Sequence, residues 1–340
     1  RPEAVVARTQ MLFREAASGA GLLHPALTGV SPGPGLARIL PTDQDAYPHT
    51  SLSVTAFKDY LACPYRFWLE KVMGLSELDD RALELDAARF GTMVHAVLER
   101  FGLEEGLRLC SDPDRIDRAL GSFLDDYLRD EFGDNARRTV AIQASLARRR
   151  LSAFAPRQAE RVAEGWRTIA VEHRVARGDE QVALELPTGP LYVHGRIDRV
   201  DLHEDGRLAV LDYKTSSNAP DAAHRKGPRN AKAWVDLQLP LYRKLATTIE
   251  VPHTSVVTGY GLLPRDPSRA GFHMADWSEG ELEEADELAL QVATSIRERR
   301  FWPPAQRPPM YSEALAGICQ DEALNAQPVP EWSEDDGGAP

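Results

Sequence analysis

Residues 195–216, GRIDRVDLHEDGRLAVLDYKTS, constrain the fold more than any other stretch of the chain. Two strand-like runs flank Glu204-Asp205-Gly206, a sequence with good turn chemistry. Asp198 falls on the first run, and Asp212 and Lys214 on the second, two apart and therefore on one face. Leu208 and Val210 share that face and draw it toward the interior. Two carboxylates and an ammonium are thus aimed where burial costs free energy unless something compensates. A divalent cation compensates, because hard oxygen ligands from two Asp suit Mg²⁺ or Mn²⁺. Lys214 beside that cation would hold an attacking water or stabilise charge on a phosphate, and hydrolysis of a phosphodiester is the reaction such a site supports. The same residues also read as an Asp–Lys ion pair on a half-exposed hairpin.

The hairpin belongs to a longer pattern. WRTIAVEHRVA, EQVALELP, LYVHGRIDRVDL and RLAVLDYKT read as strands separated by GDE, PTGP and HEDGR turns, and HTSVVTGYGLLP reads as a further buried strand. Before them, a serine or threonine near Ser53 caps a helix in SVTAFKDYLACPYRFWLEKVMGL, with Tyr60, Phe67 and Trp68 in the core. A second helix starts near Gly91, with Val94, Leu98 and Phe101 at core spacing, and residues 112–165 are helical throughout. Helices over Ala231–Thr247 and Glu281–Arg300 complete the order, the latter burying Leu282, Ala285, Ala289, Val292 and Ile296. Helices, a meander of strands, then helix, strand and helix define an α/β or α+β domain rather than an alternating doubly wound fold.

Composition limits the remaining classes. The 340 residues suffice for one or two domains, and 43% hydrophobic with 27% charged residues excludes collagen, low complexity and a small disulfide scaffold. The longest uncharged stretch, Ala16–Ala37, is rich in Gly, Pro and Ser, so no membrane span is expected. Cys63, Cys110 and Cys319 lie far apart, which fits reduced thiols and a cytoplasmic protein. The net charge of −12 argues against a coat of non-specific nucleic-acid contacts but leaves room for one local basic groove. The start at Arg1 rather than Met reads as excision from a longer polypeptide or processing. After a short helix over Arg8–Ala17, prolines 32, 34, 41 and 48 make residues 1–50 an arm or linker, and residues 321–340 an acidic, disordered tail.

Asp198 followed by Asp212-Tyr213-Lys214 across a hairpin resembles the PD-(D/E)XK nuclease signature, and in particular the C-terminal nuclease domains of RecB- and AddB-type helicase–nucleases. The similarity takes in SVTAFKDYLACPYRFWLEKVMGL at 53–75, GTMVHAVLE at 91–99, GRIDRVD at 195–201, LDYKTS at 211–216 and QLPLY at 238–242. Each motif alone is weak; five in the family's order are strong. The resemblance implies a restriction-endonuclease-like core, a central mixed sheet flanked by helices, over residues 51–320 with a helical insertion at about 103–165.

It also implies roles. His95, at the histidine of the G-x-x-x-H helix, Asp198, Asp212 and the backbone carbonyl of Tyr213 would bind Mg²⁺ or Mn²⁺, and Lys214 would be the catalytic lysine. Without the resemblance, His95 reads as a core histidine paired with Glu99. Gln238 and Tyr242 match a Q-x-x-x-Y motif that orients the lysine or meets DNA; ordinary helix packing is the alternative, and Pro240 between them kinks the helix or marks its first turn. HRKGPRNAK at 224–232 reads as a mobile basic loop in which Arg225, Lys226, Arg229 and Lys232 contact phosphates, or as a solvated surface loop. Arg148–Arg150 is a weaker basic run, and Glu172 reaches the site only if its strand faces the right way. Many AddB-like nucleases carry an iron–sulfur cluster on four Cys; here only Cys63 and Cys319 fall near such positions, so none is expected, and direct packing of the C-terminal segment on the Cys63 helix replaces it. The implied partners are single-stranded DNA or DNA ends and a helicase domain or subunit. The alternative is a non-cleaving DNA-binding module of such an assembly, and nothing in the sequence separates exonuclease from endonuclease.

Overall fold

The hairpin forms as its sequence requires. In a computed structural model, which describes residues 41–42, 44–76, 87–133, 137–228, 231–305, 309 and 315–319, β4 (Leu191–His203) and β5 (Arg207–Lys214) pair antiparallel from Leu202↔Leu208 to Arg199↔Leu211. Gly206 closes the turn at φ +89°, a conformation that glycine adopts without steric cost. The helix over Arg8–Ala17, nearly all of the arm, the acidic tail and Arg229 lie outside the described residues.

β4 and β5 are the centre of a mixed sheet. β1 (Ser51–Ser53) runs parallel to β4, while β2 (Trp166–Val175) and β3 (Ala183–Leu184) run antiparallel to it. β5 runs parallel to β8 (Ser255–Leu262), whose other edge pairs antiparallel with β9 (Gly271–Met274). Every residue of β5 from Leu208 to Tyr213 is buried, so helices must cover both faces. Helices α1 (Val54–Ala62), α2 (Ala87–Leu103), α3 (Pro113–Phe132) and α4 (Arg138–Ala163) precede β2. Ser53 Oγ accepts the Ala56 N–H at 3.2 Å and so caps α1. Val94, Leu98 and Phe101 of α2 are buried against Ile116, Leu120 and Phe154 of the helical hairpin, and the Tyr213 ring joins this cluster. Gly261 lets the ring in, since a Cβ there would stand 2.7 Å from Tyr213 Cδ1.

The chain divides into two compact units, one of residues 49–61 and 79–294, the other of residues 1–48, 62–78 and 295–340. The sheet lies in the first. In the second, Pro64 lacks the N–H that would carry α1 onward, and a single helical turn (Pro64–Phe67) is followed by a π-helical turn (Trp68–Val72). The C-terminal segment packs directly on this stretch: Phe301 stacks on Phe67, Trp302 meets Tyr65 edge-on, and Ala305 N–H donates to Cys63 Sγ at 3.4 Å.

Two helices begin elsewhere than their sequences predict. The helix expected over Ala231–Thr247 is α5, Gln238–Leu245, with residues 246–248 as a 3₁₀ turn. The preceding residues go to β7 (Ala233–Trp234), which pairs with β6 (Arg225–Lys226), while Val235 N–H bonds the His224 carbonyl at 2.8 Å. Pro240 therefore marks the first turn, where a missing N–H is harmless. The last long helix, α6 (Glu279–Arg297), starts early because Ser278 and Glu281 bond each other's backbone N–H in a capping box. Strands β1 and β9 were not evident in the sequence; both are only three or four residues long.

Behind the hairpin lies a buried ionic network. Arg161 Nε donates to Asp201 Oδ2 at 2.5 Å, Asp201 Oδ1 accepts from Arg199 Nε at 2.6 Å, and Arg199 Nη1 donates to Gln158 Oε1 at 2.6 Å and to the Tyr213 phenol at 3.2 Å. Asp201 is 0% exposed and holds two guanidinium groups together; their charges pull its carboxyl below the ordinary range although burial alone would raise it. Asp201→Ala leaves both cations buried without a counter-charge, so urea denaturation should show a loss of about 3–5 kcal/mol. Lys58→Ala, which removes only the exposed partner of Asp236, should cost less than about 1 kcal/mol. Equal small losses would contradict this account.

Candidate active site

The polar site forms where β4 and β5 stop pairing. Past Arg199↔Leu211, the Tyr213 N–H donates to the Asp198 carboxylate (Oδ2, 2.8 Å) instead of to a backbone carbonyl. The Tyr213 carbonyl accepts from His95 Nε2 of α2 at 2.8 Å, leaving His95 Nδ1 3.4 Å from Asp198 Oδ2. Burial pushes the His95 imidazole down despite the nearby Asp212 charge, which favours the neutral ring that a metal requires.

Asp212 and Lys214 share a face of β5, as their spacing predicts, and meet at 2.7 Å. Gln238 Nε2 donates to Asp212 Oδ1 at 2.8 Å, and Gln238 Oε1 accepts from Lys214 Nζ at 3.2 Å. Tyr242, one turn further along α5, accepts from Gln238 and donates to the Arg196 carbonyl at 2.7 Å. Burial alone would lower the Lys214 ammonium, but Asp212 outweighs it and holds Lys214 above the usual lysine range. Lys214 is therefore a fixed cation, suited to donating hydrogen bonds rather than accepting a proton.

One residue that sequence reasoning left undecided joins the site. Glu172 of β2 sits at φ +51°, unusual for a non-glycine residue in a strand, and its Oε2 is 2.7 Å from Arg196 Nε. Ligand atoms of His95, Glu172 and Asp198 lie within 4.8 Å of one another. The pairs on either side, Val171↔Arg199 and His173↔Ile197, set Glu172 opposite Asp198, and the irregularity that interrupts the alternation lies earlier, between Thr168 and Ala170. Burial, with the Asp198 charge adding to it, raises the Glu172 carboxyl.

The donor set fits a divalent cation. Asp198 is pushed up to about 7, first by burial and then by the charge of Asp212, so two carboxylates face each other at an electrostatic cost that a bound cation would offset. Carboxylate oxygens and one imidazole nitrogen suit Mg²⁺ or Mn²⁺.

The described residues of the basic segment after β5 are held by a short hairpin and ion pairs. Arg225 and Lys226 form β6 of a short hairpin; Arg225 pairs with Glu281 and Asp221, Lys232 pairs with Asp221, and Lys226 bonds the Ala222 carbonyl. In the earlier basic run, Arg150 lies over the Phe90 ring and donates to the carbonyls of Thr215 and Leu263, while Arg148 pairs with Asp125. Cys63 and Cys319 are buried and Cys110 is partly exposed.

A mixed sheet flanked by helices, with Asp, Asp and Lys gathered where its central hairpin opens, defines a nuclease core. The family model of the PD-(D/E)XK nuclease superfamily matches residues 51–320, and the chain belongs to that superfamily. Among relatives, an ATP-dependent helicase/deoxyribonuclease subunit from Moorella thermoacetica is 28% identical over 210 residues, 57% of this chain and 17% of that protein. The protein of the same name from Acetivibrio thermocellus is 29% identical over 181 residues, 48% of this chain and 15% of its own. The chain thus spans less than a fifth of the length of either relative. A solved chain from Eubacterium rectale, named as an exonuclease, aligns at a TM-score of 0.45 and 12% identity over 85% of this chain and 96% of its own.

The raised Asp198 carboxyl sets the pH behaviour of the metal-free domain. Between its ordinary value of 3.8 and about 7, the folded state binds more protons here than the unfolded state, so this contribution to stability is present at low pH and lost as pH rises through 7. A divalent cation held by Asp198 would compete with that proton. Calorimetric titration at pH 6 in two buffers of different ionisation enthalpy should show proton release, and the Mn²⁺-induced rise in Tm should be larger at pH 8 than at pH 5.5. A pH-independent rise without proton release would count against the assignment.

Proposed function

We propose that this domain is a Mg²⁺- or Mn²⁺-dependent deoxyribonuclease that hydrolyses phosphodiester bonds. The observation that carries the reading is the convergence of His95, Glu172 and Asp198, with the Asp212 charge acting on Asp198, beside an ammonium kept charged by Asp212. His95, Asp198 and Asp212 hold the cation, with Glu172 as a further carboxylate within reach. A bound divalent cation supplies Lewis-acid chemistry, lowering the pKa of water and drawing charge from the scissile phosphate. Lys214 positions the attacking water and stabilises the charge that develops on the phosphoryl oxygens. Gln238 ties Asp212 to Lys214, and Tyr242 braces Gln238 against the Arg196 carbonyl, so both act by positioning.

DNA as substrate, single-stranded or at ends, and a helicase domain or subunit as partner are supported by the names of the relatives. The wide spacing of Cys63, Cys110 and Cys319 along the sequence fits action in the cytoplasm. Among the described residues no helix is long and apolar enough to cross a membrane. A role in recombination or repair fits a nuclease supplied with strands by a motor. A non-cleaving DNA-binding module is less well supported, because every polar position of the site is filled.

The test is cleavage of end-labelled single- and double-stranded DNA with Mg²⁺, Mn²⁺ or EDTA. Wild type should cut only with metal, and Lys214→Ala should lose at least about 10²–10³ in rate with its fold retained. Asp212→Ala should be similarly impaired. Wild-type-like cleavage by both variants would overturn the assignment.

A further inference from the structure

Cationic and aromatic residues on β2, on β4 and in the turn after β2 lead away from the candidate metal ligands. Along β4, Tyr192, His194, Arg196 and Asp198 occupy alternate positions and so follow one another along one face. Arg174 of β2 stands directly opposite Arg196 in the antiparallel register, so two guanidinium groups share a face at neighbouring positions. Like charges so placed repel one another. Glu172 answers only one of them: Arg196 pairs with it, whereas Arg174 is exposed and makes no ion pair among the described residues. Beyond them, Arg177 contacts His49 at 3.4 Å, and the Arg177 charge reaches His194. His194 Nδ1 is buried with no hydrogen-bond partner among the described residues. In a chain of net charge −12, this is a local concentration of positive charge.

We propose that this stripe is the track for a single-stranded nucleic acid entering or leaving the site, with Arg174 and Arg177 contacting phosphates and Tyr192 offering a stacking surface. The proposal rests on the nuclease reading and names the surface that presents its substrate. Residues two apart on a strand repeat at roughly 7 Å, a spacing that an extended sugar–phosphate backbone can follow. Aromatic and cationic side chains interleaved along a groove are what sequence-tolerant single-strand binding requires. The alternative surface, the β6–β7 hairpin, has the charges of Arg225 and Lys232 already answered by Asp221 and Glu281.

The test is binding of fluorescent oligo(dT) in EDTA, where no cleavage intervenes, across a series of salt concentrations. Arg174→Ala/Arg177→Ala should weaken binding several-fold and flatten the slope of log K against log salt by about 0.7 for each phosphate contact removed. Hydrolysis of bis(p-nitrophenyl) phosphate with Mn²⁺, a substrate too small to reach the track, should be unchanged in that variant. Unchanged oligonucleotide affinity and slope overturn the track, as does loss of the slope in Lys226→Ala instead. Loss of small-substrate hydrolysis in the double variant also overturns it, because the arginines would then belong to the chemistry. If wild type hydrolyses neither substrate while the double variant still flattens the slope, the track stands and the nuclease reading fails.

Discussion

The hydrogen bond from the Tyr213 N–H to the Asp198 carboxylate is the contact on which the site depends. Two antiparallel strands would ordinarily continue their ladder, each buried N–H meeting a carbonyl. Here a side chain takes the place of the partner strand, and the hairpin opens without stranding a buried donor. The opening separates Asp198 from Asp212 and makes room for the groups arriving from α2 and α5. Tyr213 is fixed on three sides: its N–H by Asp198, its carbonyl by His95, and its phenol by Arg199 of the network centred on Asp201. The helical hairpin thereby reaches the site through one residue's backbone, since Gln158 and Arg161 of α4 hold the other members of that network.

Electrostatics then divides the site in two. On the α5 side, Asp212 is answered by Lys214 and by hydrogen bonds from Gln238, so its charge is supported. On the α2 side, Asp198 has the Tyr213 N–H but also the field of Asp212, and its carboxyl is held near neutrality. Unequal support of two neighbouring carboxylates leaves one side requiring positive charge, and His95 and Glu172 bring further ligand atoms to that side. The cost of burying these groups is borne by the packed helices and sheet around them, where Leu98, Leu208, Val210 and Leu211 are fully buried; each such side chain contributes about 1.5–3 kcal/mol.

Much of this was legible in the sequence because it rests on short-range periodicity. Strand alternation places Asp212, Lys214, Leu208 and Val210 on one face, and the Glu204-Asp205-Gly206 turn sets the hairpin. The i,i+4 spacing of Gln238 and Tyr242 places them together, and the structure shows the bond between them. What escaped depends on long-range contacts. Glu172 comes to the site through its register opposite Asp198, which the irregularity between Thr168 and Ala170 hides from sequence alternation, and the stretch before Gln238 leaves the helix because the His224 carbonyl captures Val235. The charges of HRKGPRNAK look free in sequence, but Glu281, more than fifty residues later, comes back to pair with Arg225.

The central claim is that the open end of the β4–β5 hairpin is a divalent-cation site. Anomalous diffraction from crystals soaked in Mn²⁺, recorded on either side of the manganese edge, tests it most directly. The account predicts a peak bounded by His95, Glu172 and Asp198, with Asp212 on its far side, and its disappearance in Asp198→Ala. No peak at saturating Mn²⁺ in well-ordered crystals, or a peak away from these residues, would contradict it.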